Sequence, residues 1–163
     1  RDRAYMAADQ RFASQRSDVL TFSWPAQQDT LRLMGPVNVR LTLNTSETDL
    51  DAIVKLIDVR PDGYEMLVRG DVMPARFRHS FSAPEALRPG EDFTLSFTMP
   101  DVAHLLLPGH RLMVQVQYSC YPLVAVNPQT YLENPYSATR DDYRKARVTL
   151  KGKGKSWVEL TVW

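Results

Sequence analysis

The sequence predicts an all-β fold, a sandwich of two packed sheets with jelly-roll topology. Apolar and polar residues alternate along several segments, as expected when successive side chains of a strand point to opposite faces. Eleven prolines interrupt the chain of 163 residues too often for long helices. About eight or nine strands in one domain require two sheets, and their turn spacing favours a jelly roll. An immunoglobulin-like sandwich is the alternative, although the single cysteine, Cys120, provides no disulfide pair.

Four segments alternate most clearly, and each is predicted to pack one face against a core: residues 37–44, 93–99, 112–119 and 157–163. Residues 52–59 are apolar at successive positions, which suits a central strand covered on both faces. Shorter strands are predicted at 19–24 and 64–72. Residues 147–150 are predicted to pair with 156–163 as a hairpin across the intervening loop of lysines and glycines.

Two short helical turns are also predicted from local signals. Asp101 would cap the first turn, at residues 102–106. Thr139, followed three residues later by Asp142, resembles a capping box for a second turn at residues 140–146.

Length and charge restrict the possible functions. The chain is long enough to bury the core of one domain, which we expect to span residues 1–163. Twenty basic and 19 acidic residues leave a formal charge of +1, which gives no reason to expect a nucleic-acid partner. The sequence contains no run of 18 apolar residues, so no membrane span is predicted. The chain opens on Arg1 rather than on methionine, which suggests a piece of a longer protein.

The sequence predicts no complete catalytic site, metal site or cofactor site. The histidines, His79, His104 and His110, lack the spacing of metal ligands, and a structural role is expected for each. Asp101 and His104 would be neighbours on a helical turn, but no serine is placed to complete a triad. Gly154-Lys155-Ser156 begins like a nucleophile elbow, yet a strand follows where a helix is needed. An enzyme with an unrecognised site around His104 or His110 is the least favoured alternative.

Four acidic residues form a loose series: Asp49, Asp51, Asp58 and Asp62. Loop carboxylates of this kind bind calcium on some β-sandwiches, but the spacing of an EF-hand is missing. We therefore expect solvated loop residues, with Asp58 as a hydrogen-bonded interior group.

Aromatic residues cluster in the last third of the chain: Tyr118, Tyr121, Tyr131, Tyr136, Tyr143, Trp157 and Trp163. On a lectin-like sandwich such rings would stack on sugars, so a free-standing carbohydrate-binding module is one functional alternative. The same rings would equally form a docking surface for another domain.

Several phrases of the sequence resemble a known family in their order and spacing. The most specific are Lys55-Leu56-Ile57-Asp58-Val59, Pro108-Gly109-His110-Arg111 and Asn127-Pro128-Gln129-Thr130. Together they resemble the C-terminal domain of the CocE/NonD hydrolases, a group with X-Pro dipeptidyl-peptidases, cocaine esterase, α-amino acid ester hydrolases and glutaryl-7-aminocephalosporanic acid acylases. The likeness is greatest to the acylase and α-amino acid ester hydrolase branch, and it runs from about Tyr5 to the C-terminus.

The resemblance implies a jelly roll of the galactose-binding-like type with no catalytic residue of its own. In this family the Ser-His-Asp triad belongs to a preceding α/β-hydrolase domain that acts on esters, amides or X-Pro peptides. This chain is then expected to pack on that domain and help shape its substrate cleft, and homo-oligomerisation is left open. A domain separated from its partner exposes an apolar patch. We expect the patch to comprise Tyr5, Phe12, Trp24, Tyr118, Tyr121, Tyr131 and Tyr136.

Overall fold

The computed structural model describes residues 6–163 of the chain. Eight strands form most of it: β1 (Leu20–Ser23), β2 (Leu31–Thr45), β3 (Asp51–Val59), β4 (Glu65–Pro74), β5 (Asp92–Leu106), β6 (Arg111–Gln117), β7 (Val148–Leu150) and β8 (Trp157–Val162). One short helix, α1 (Arg11–Ser14), precedes β1. Three 3-10 turns occupy Ala75–Phe77, Pro135–Ser137 and Arg140–Asp142.

The strands form two four-stranded sheets. The first has the order β1-β6-β3-β4. In the second, β2 is central, with β5 on one side and both β7 and β8 on the other. Every pairing among these strands is antiparallel. The predicted all-β architecture with antiparallel sheets is therefore confirmed.

The core lies between the two sheets and follows the alternation seen in the sequence. Every second residue of β2 faces inward, and Val37, Val39, Leu41 and Leu43 are all at most 2% exposed. Inward residues of β3, β5 and β6 meet them from the facing strands. Full burial of one such side chain contributes about 1.5–3 kcal/mol, so this alternation is the main source of stability.

The outer face of the first sheet is covered by the segment that contains α1. Lys55 on β3 is 1% exposed and donates to Gln10 Oε1 at 3.0 Å. Glu65 on β4 accepts from Ser14 Oγ at 2.9 Å. Burial lowers the pKa of Lys55 and raises the pKa of Glu65, because both charged groups lose contact with water. This cover explains why β3 is buried on both faces, as its apolar sequence predicted.

The hairpin predicted near the C-terminus is wrong. β7 pairs with residues 43–45 of β2, and β8 pairs with residues 33–40 of the same strand. The two therefore follow one another along a single sheet edge, and the loop between them bulges outward. Thr42 holds both ends of this bulge: its carbonyl accepts from Lys151 N–H at 2.9 Å and its N–H donates to Ser156 Oγ at 2.9 Å. Because β2 is long, it pairs with the backbone groups of both β7 and β8. In a hairpin, the three residues of β7 would leave part of β8 unpaired.

The helical turn predicted at residues 102–106 is also wrong. This segment continues β5 and pairs with residues 31–35 of β2, so Asp101 caps no helix and does not sit one turn from His104. Val102 and Leu106 are buried, whereas Leu105 is exposed, which is the alternation of a half-buried strand. Pairing with β2 therefore overrides the local capping signal.

The second predicted turn is only partly correct. The capping box forms, with Thr139 N–H donating to Asp142 Oδ2 at 2.7 Å. The turn ends at Asp142 instead of continuing to residue 146. Arg144 N–H donates to the carbonyl of Pro128 at 2.9 Å, and this bond draws the chain away from a helical path.

Candidate docking surface

The structure places the seven aromatic residues predicted for a docking patch in three situations. Tyr5 lies outside the described residues. Four others are exposed: Phe12 at 43%, Trp24 at 46%, Tyr121 at 60% and Tyr136 at 89%. Their docking role stays a prediction, because exposure alone does not identify a partner.

The remaining two rings support the fold. Tyr118 packs against the core between the sheets, and burial raises the pKa of its hydroxyl to about 12. The Tyr131 hydroxyl donates to the carbonyl of Pro84 at 3.1 Å, and the Arg76 guanidinium lies 4.9 Å from the centre of the Tyr131 ring. Both residues are half-buried, and their docking role also stays a prediction.

An apolar cleft that the sequence analysis did not identify lies along one side of the sandwich. It has a volume of about 560 Å³ and opens between β1 of the first sheet and β8 of the second. Its floor includes the core residues Leu41 and Val114, and Phe22, Trp24 and Trp157 stand at its rim. The alternation Leu20-x-Phe22-x-Trp24 was visible in the sequence, but nothing there showed that these side chains would remain uncovered.

The opposite side of the sandwich is closed. There β4 and β5 contact one another, and Arg69 Nη2 donates to the carbonyl of Asp101 at 2.6 Å. The two sides of the sandwich therefore differ, because β4 and β5 contact one another on one side, whereas an apolar cleft separates β1 from β8 on the other.

A lysine-rich loop borders the cleft. Gly152 and Ser156 line the cavity, and Lys151, Lys153 and Lys155 belong to the same loop. Lys151 Nζ lies 3.3 Å from Asp92 Oδ1, and the Lys155 charge also helps to lower the pKa of Asp92. Lys153 and Lys155 are both exposed. Lys153 adopts φ = 54° and Gly154 φ = 83°, so the loop has a defined left-handed bend.

A buried carboxylate joins the two sheets at one end of the sandwich. Asp58 on β3 lies with Oδ2 2.9 Å from His104 Nε2 and with Oδ1 2.8 Å from His110 Nδ1. The Asp58 side chain is 2% exposed. The expectation of a hydrogen-bonded interior group at Asp58 is confirmed. Two of the family phrases thus meet in space, since Asp58 belongs to one and His110 to the other.

A second buried network fixes the loop that carries the third family phrase. Asp49 forms an ion pair with Arg76, and both side chains are almost fully buried. Asn127 Nδ2 lies 3.3 Å from Asp49 Oδ2 and 3.0 Å from Asp51 Oδ1. Arg76 Nη1 also donates to the carbonyl of Leu132 at 2.8 Å. Asp49 and Asp51 are therefore not the solvated loop residues that the sequence suggested.

Burial makes Asp51 a weaker acid than an ordinary aspartate. Loss of water contact raises its pKa to about 6, against the lowering effect of the Asn127 hydrogen bond, and the Asp49 charge raises it further. Within residues 6–163, no group of three or more His, Cys, Asp or Glu side chains is arranged to hold a metal ion. In the same part of the chain, no helix has the length and apolar character needed to cross a membrane.

Comparison with known families identifies the domain. Residues 3–159 match the model of the X-Pro dipeptidyl-peptidase C-terminal non-catalytic domain. The chain belongs to this family. The resemblance to the C-terminal domain of the CocE/NonD hydrolases, noted in the sequence, is thereby confirmed, and the chain is a non-catalytic domain of that hydrolase type.

Individual relatives of this family agree. Cocaine esterase from Rhodococcus sp. (strain MB1 Bresler) is 35% identical over 123 residues, which cover 76% of this chain and 21% of the relative. An α-amino acid ester hydrolase structure matches with a TM-score of 0.94 and 38% identity, over 99% of this chain and 29% of that one. An aminopeptidase from a Thaumarchaeota archaeon matches with a TM-score of 0.93 and 34% identity, over 97% and 28%. The chain thus spans less than a third of the length of each relative.

Proposed function

We propose that residues 1–163 form one accessory domain that packs on an α/β-hydrolase domain and helps to shape its substrate cleft. The observation that carries the proposal is the family match over residues 3–159, to a domain that is non-catalytic by description. The much greater length of each relative supports the presence of a further domain beside this one. The hydrolase would transfer an acyl group to water from an ester, an amide or an X-Pro peptide.

Strand order supports the jelly-roll topology within this proposal. The chain passes repeatedly from one sheet to the other, since β1, β3, β4 and β6 belong to the first sheet and the others to the second. The neighbours β1 and β6 are distant in sequence, as are β2 and β5. Such long crossovers between two antiparallel sheets are typical of a jelly roll of the galactose-binding-like type.

The buried networks make the domain suited to a supporting role. Asp58 ties the sheets together at one end, and the Asp49–Arg76 pair holds the loop that follows β6. A rigid domain positions neighbouring loops accurately, which is what shaping a cleft requires. The comparisons favour this role over a free-standing carbohydrate-binding module.

The coding sequence that precedes the codon for Arg1 tests the proposal. We expect an open reading frame for an α/β-hydrolase with a Gly-x-Ser-x-Gly elbow between a strand and a helix. A stop codon, or an unrelated domain in the same frame, would contradict it.

A further inference from the structure

The open side of the sandwich is an apolar cleft with a buried floor and exposed aromatic rims. Leu41 and Val114 face the cavity between the sheets, while the rims expose Phe22, Trp24 and Trp157 at 45–46%. Contact between apolar surface and water is unfavourable, so a cleft of this size favours an apolar occupant.

We propose that an extended apolar segment of the accompanying hydrolase domain, with acidic side chains at one end, occupies this cleft. The inference rests on the proposed function and adds to it the surface and the chemistry of the contact. Three features of the described residues support it: the shape of the groove, the backbone at its edge and the charge at its rim.

The groove is elongated. A second cavity of about 320 Å³ shares Trp24, Val114 and Val158 with the first and extends towards Leu31 and Leu160. The combined groove follows β8 from Ser156 to Leu160. A segment lying along a strand in this way is extended, and its alternate side chains point into the groove.

The backbone of β1 is available to such a segment. Among the described strands, β1 pairs only with β6, through Leu20–Ser23. Trp24 N–H donates to the carbonyl of Leu112 at 2.9 Å, so by alternation the N–H and C=O groups of Thr21 and Ser23 point away from β6. Exposed edge groups of this kind bind an added strand by main-chain hydrogen bonds.

Positive charge near one end of the cleft indicates which side chains the segment carries at that end. Lys153 and Lys155 are exposed on the loop whose Gly152 lines the cleft. Carboxylates at the end of the segment beside this loop would meet these ammonium groups, and complementary charge fixes the register of such contacts. Because the segment would be part of the same polypeptide, its effective concentration would be high. Contacts of low intrinsic affinity would then be sufficient for docking.

Cysteine protection tests the occupant. Phe22→Cys and Trp157→Cys place thiols at the cleft, whereas Phe81→Cys, at a side chain that is 77% exposed and outside the cleft, is the matched control. Each is labelled with a maleimide in the 163-residue chain and in the longer protein that also carries the hydrolase domain. We expect labelling at positions 22 and 157 to slow at least about tenfold in the longer protein, with position 81 unchanged. The native Cys120 is buried and serves as a common background.

Charge reversal provides a second test. In the longer protein, Lys153→Glu combined with Lys155→Glu should restore rapid labelling at position 22, because the loop then repels the acidic end of the segment. Lys145→Glu, an exposed lysine outside the cleft, should not.

Three outcomes would overturn the inference. If small-angle scattering shows a compact longer protein in which positions 22 and 157 react as in the 163-residue chain, docking uses another surface and the proposed function survives. If scattering shows two separated domains, the proposed function and the cleft contact both fail. If positions 22 and 157 are already protected in the 163-residue chain, with the mass of a dimer, a second copy is the occupant.

Discussion

Asp58 and His110 are separated by 52 residues in the chain, yet Asp58 Oδ1 lies 2.8 Å from His110 Nδ1 inside the fold. His104 occupies the other oxygen of the same carboxylate at 2.9 Å. Since Asp58 belongs to the first sheet and His104 to the second, one buried side chain joins both layers. The stability of the sandwich at this end should therefore depend on Asp58.

We expect Asp58→Ala to lower the free energy of unfolding by about 2–3 kcal/mol, because it leaves two partly buried imidazoles without their acceptor. Urea unfolding followed by tryptophan fluorescence measures the change. Asp29→Ala, at an exposed carboxylate, is the matched control and should change stability by less than about 0.5 kcal/mol. Equal effects of the two substitutions would show that the His104–Asp58–His110 contacts do not stabilise the fold.

Asp51 makes stability depend on pH in a direction opposite to that of most carboxylates. Its pKa is raised from 3.8 to about 6, mainly by burial, so the folded state favours the protonated form. This contribution is fully present below the unfolded pKa and is lost as pH rises through about 6. Asp51→Asn keeps an acceptor for Asn127 but cannot ionise.

The variant should therefore gain stability relative to the unmodified chain between about pH 4 and about pH 7. Thermal unfolding at several pH values measures this difference, with Glu133→Gln at an exposed position as the control. A constant difference across that range would mean that Asp51 ionises normally in the folded state.

The buried pair of Asp49 and Arg76 predicts an asymmetric response to substitution. Arg76→Met should cost about 3–5 kcal/mol, because it leaves the Asp49 charge buried without its partner. Adding Asp49→Asn should recover part of that loss, since the uncompensated charge disappears. Urea unfolding measures both variants, and additive losses in the double variant would contradict this coupling.

Two glycines in the loop between β7 and β8 differ in backbone conformation. Gly154 has φ = 83°, whereas Gly152 lies outside the left-handed region, and a Cβ at either position would meet no atom within 4 Å. Gly154→Ala should therefore cost about 1–2 kcal/mol through backbone strain alone. Gly152→Ala in the same loop should be nearly neutral, and comparison of their thermal unfolding midpoints measures the difference.

Alternation predicted β2 and β5 well, because burial of one face is a property of each strand alone. It was wrong for β6, which alternates in sequence but is buried on both faces: Met113, Gln115 and Gln117 are at most 8% exposed. The other failures share a cause: residues 102–106 and the strands β7 and β8 are decided by their pairing with β2, which lies more than fifty residues away. Capping and turn signals are local and carry no information about such partners.

The candidate docking surface was likewise predicted only in part. Because aromatic residues often form contact surfaces, the sequence predicted exposed side chains at four positions that are exposed in the structure: Phe12, Trp24, Tyr121 and Tyr136. The cleft was not predicted, because it depends on how the two sheets lie relative to one another: β4 and β5 meet on one side, while β1 and β8 are separated on the other. The burial of Asp49 likewise depends on Arg76, which is 27 residues away.

Hydrolysis of p-nitrophenyl esters by the 163-residue chain, compared with hydrolysis by a longer protein that also carries the hydrolase domain, shows whether this domain is catalytic. We expect hydrolysis by the longer protein and none above the buffer rate by the 163-residue chain, with or without His104→Ala or His110→Ala. Hydrolysis by the 163-residue chain that is lost on either histidine substitution would contradict it, because the active site would then lie within this domain.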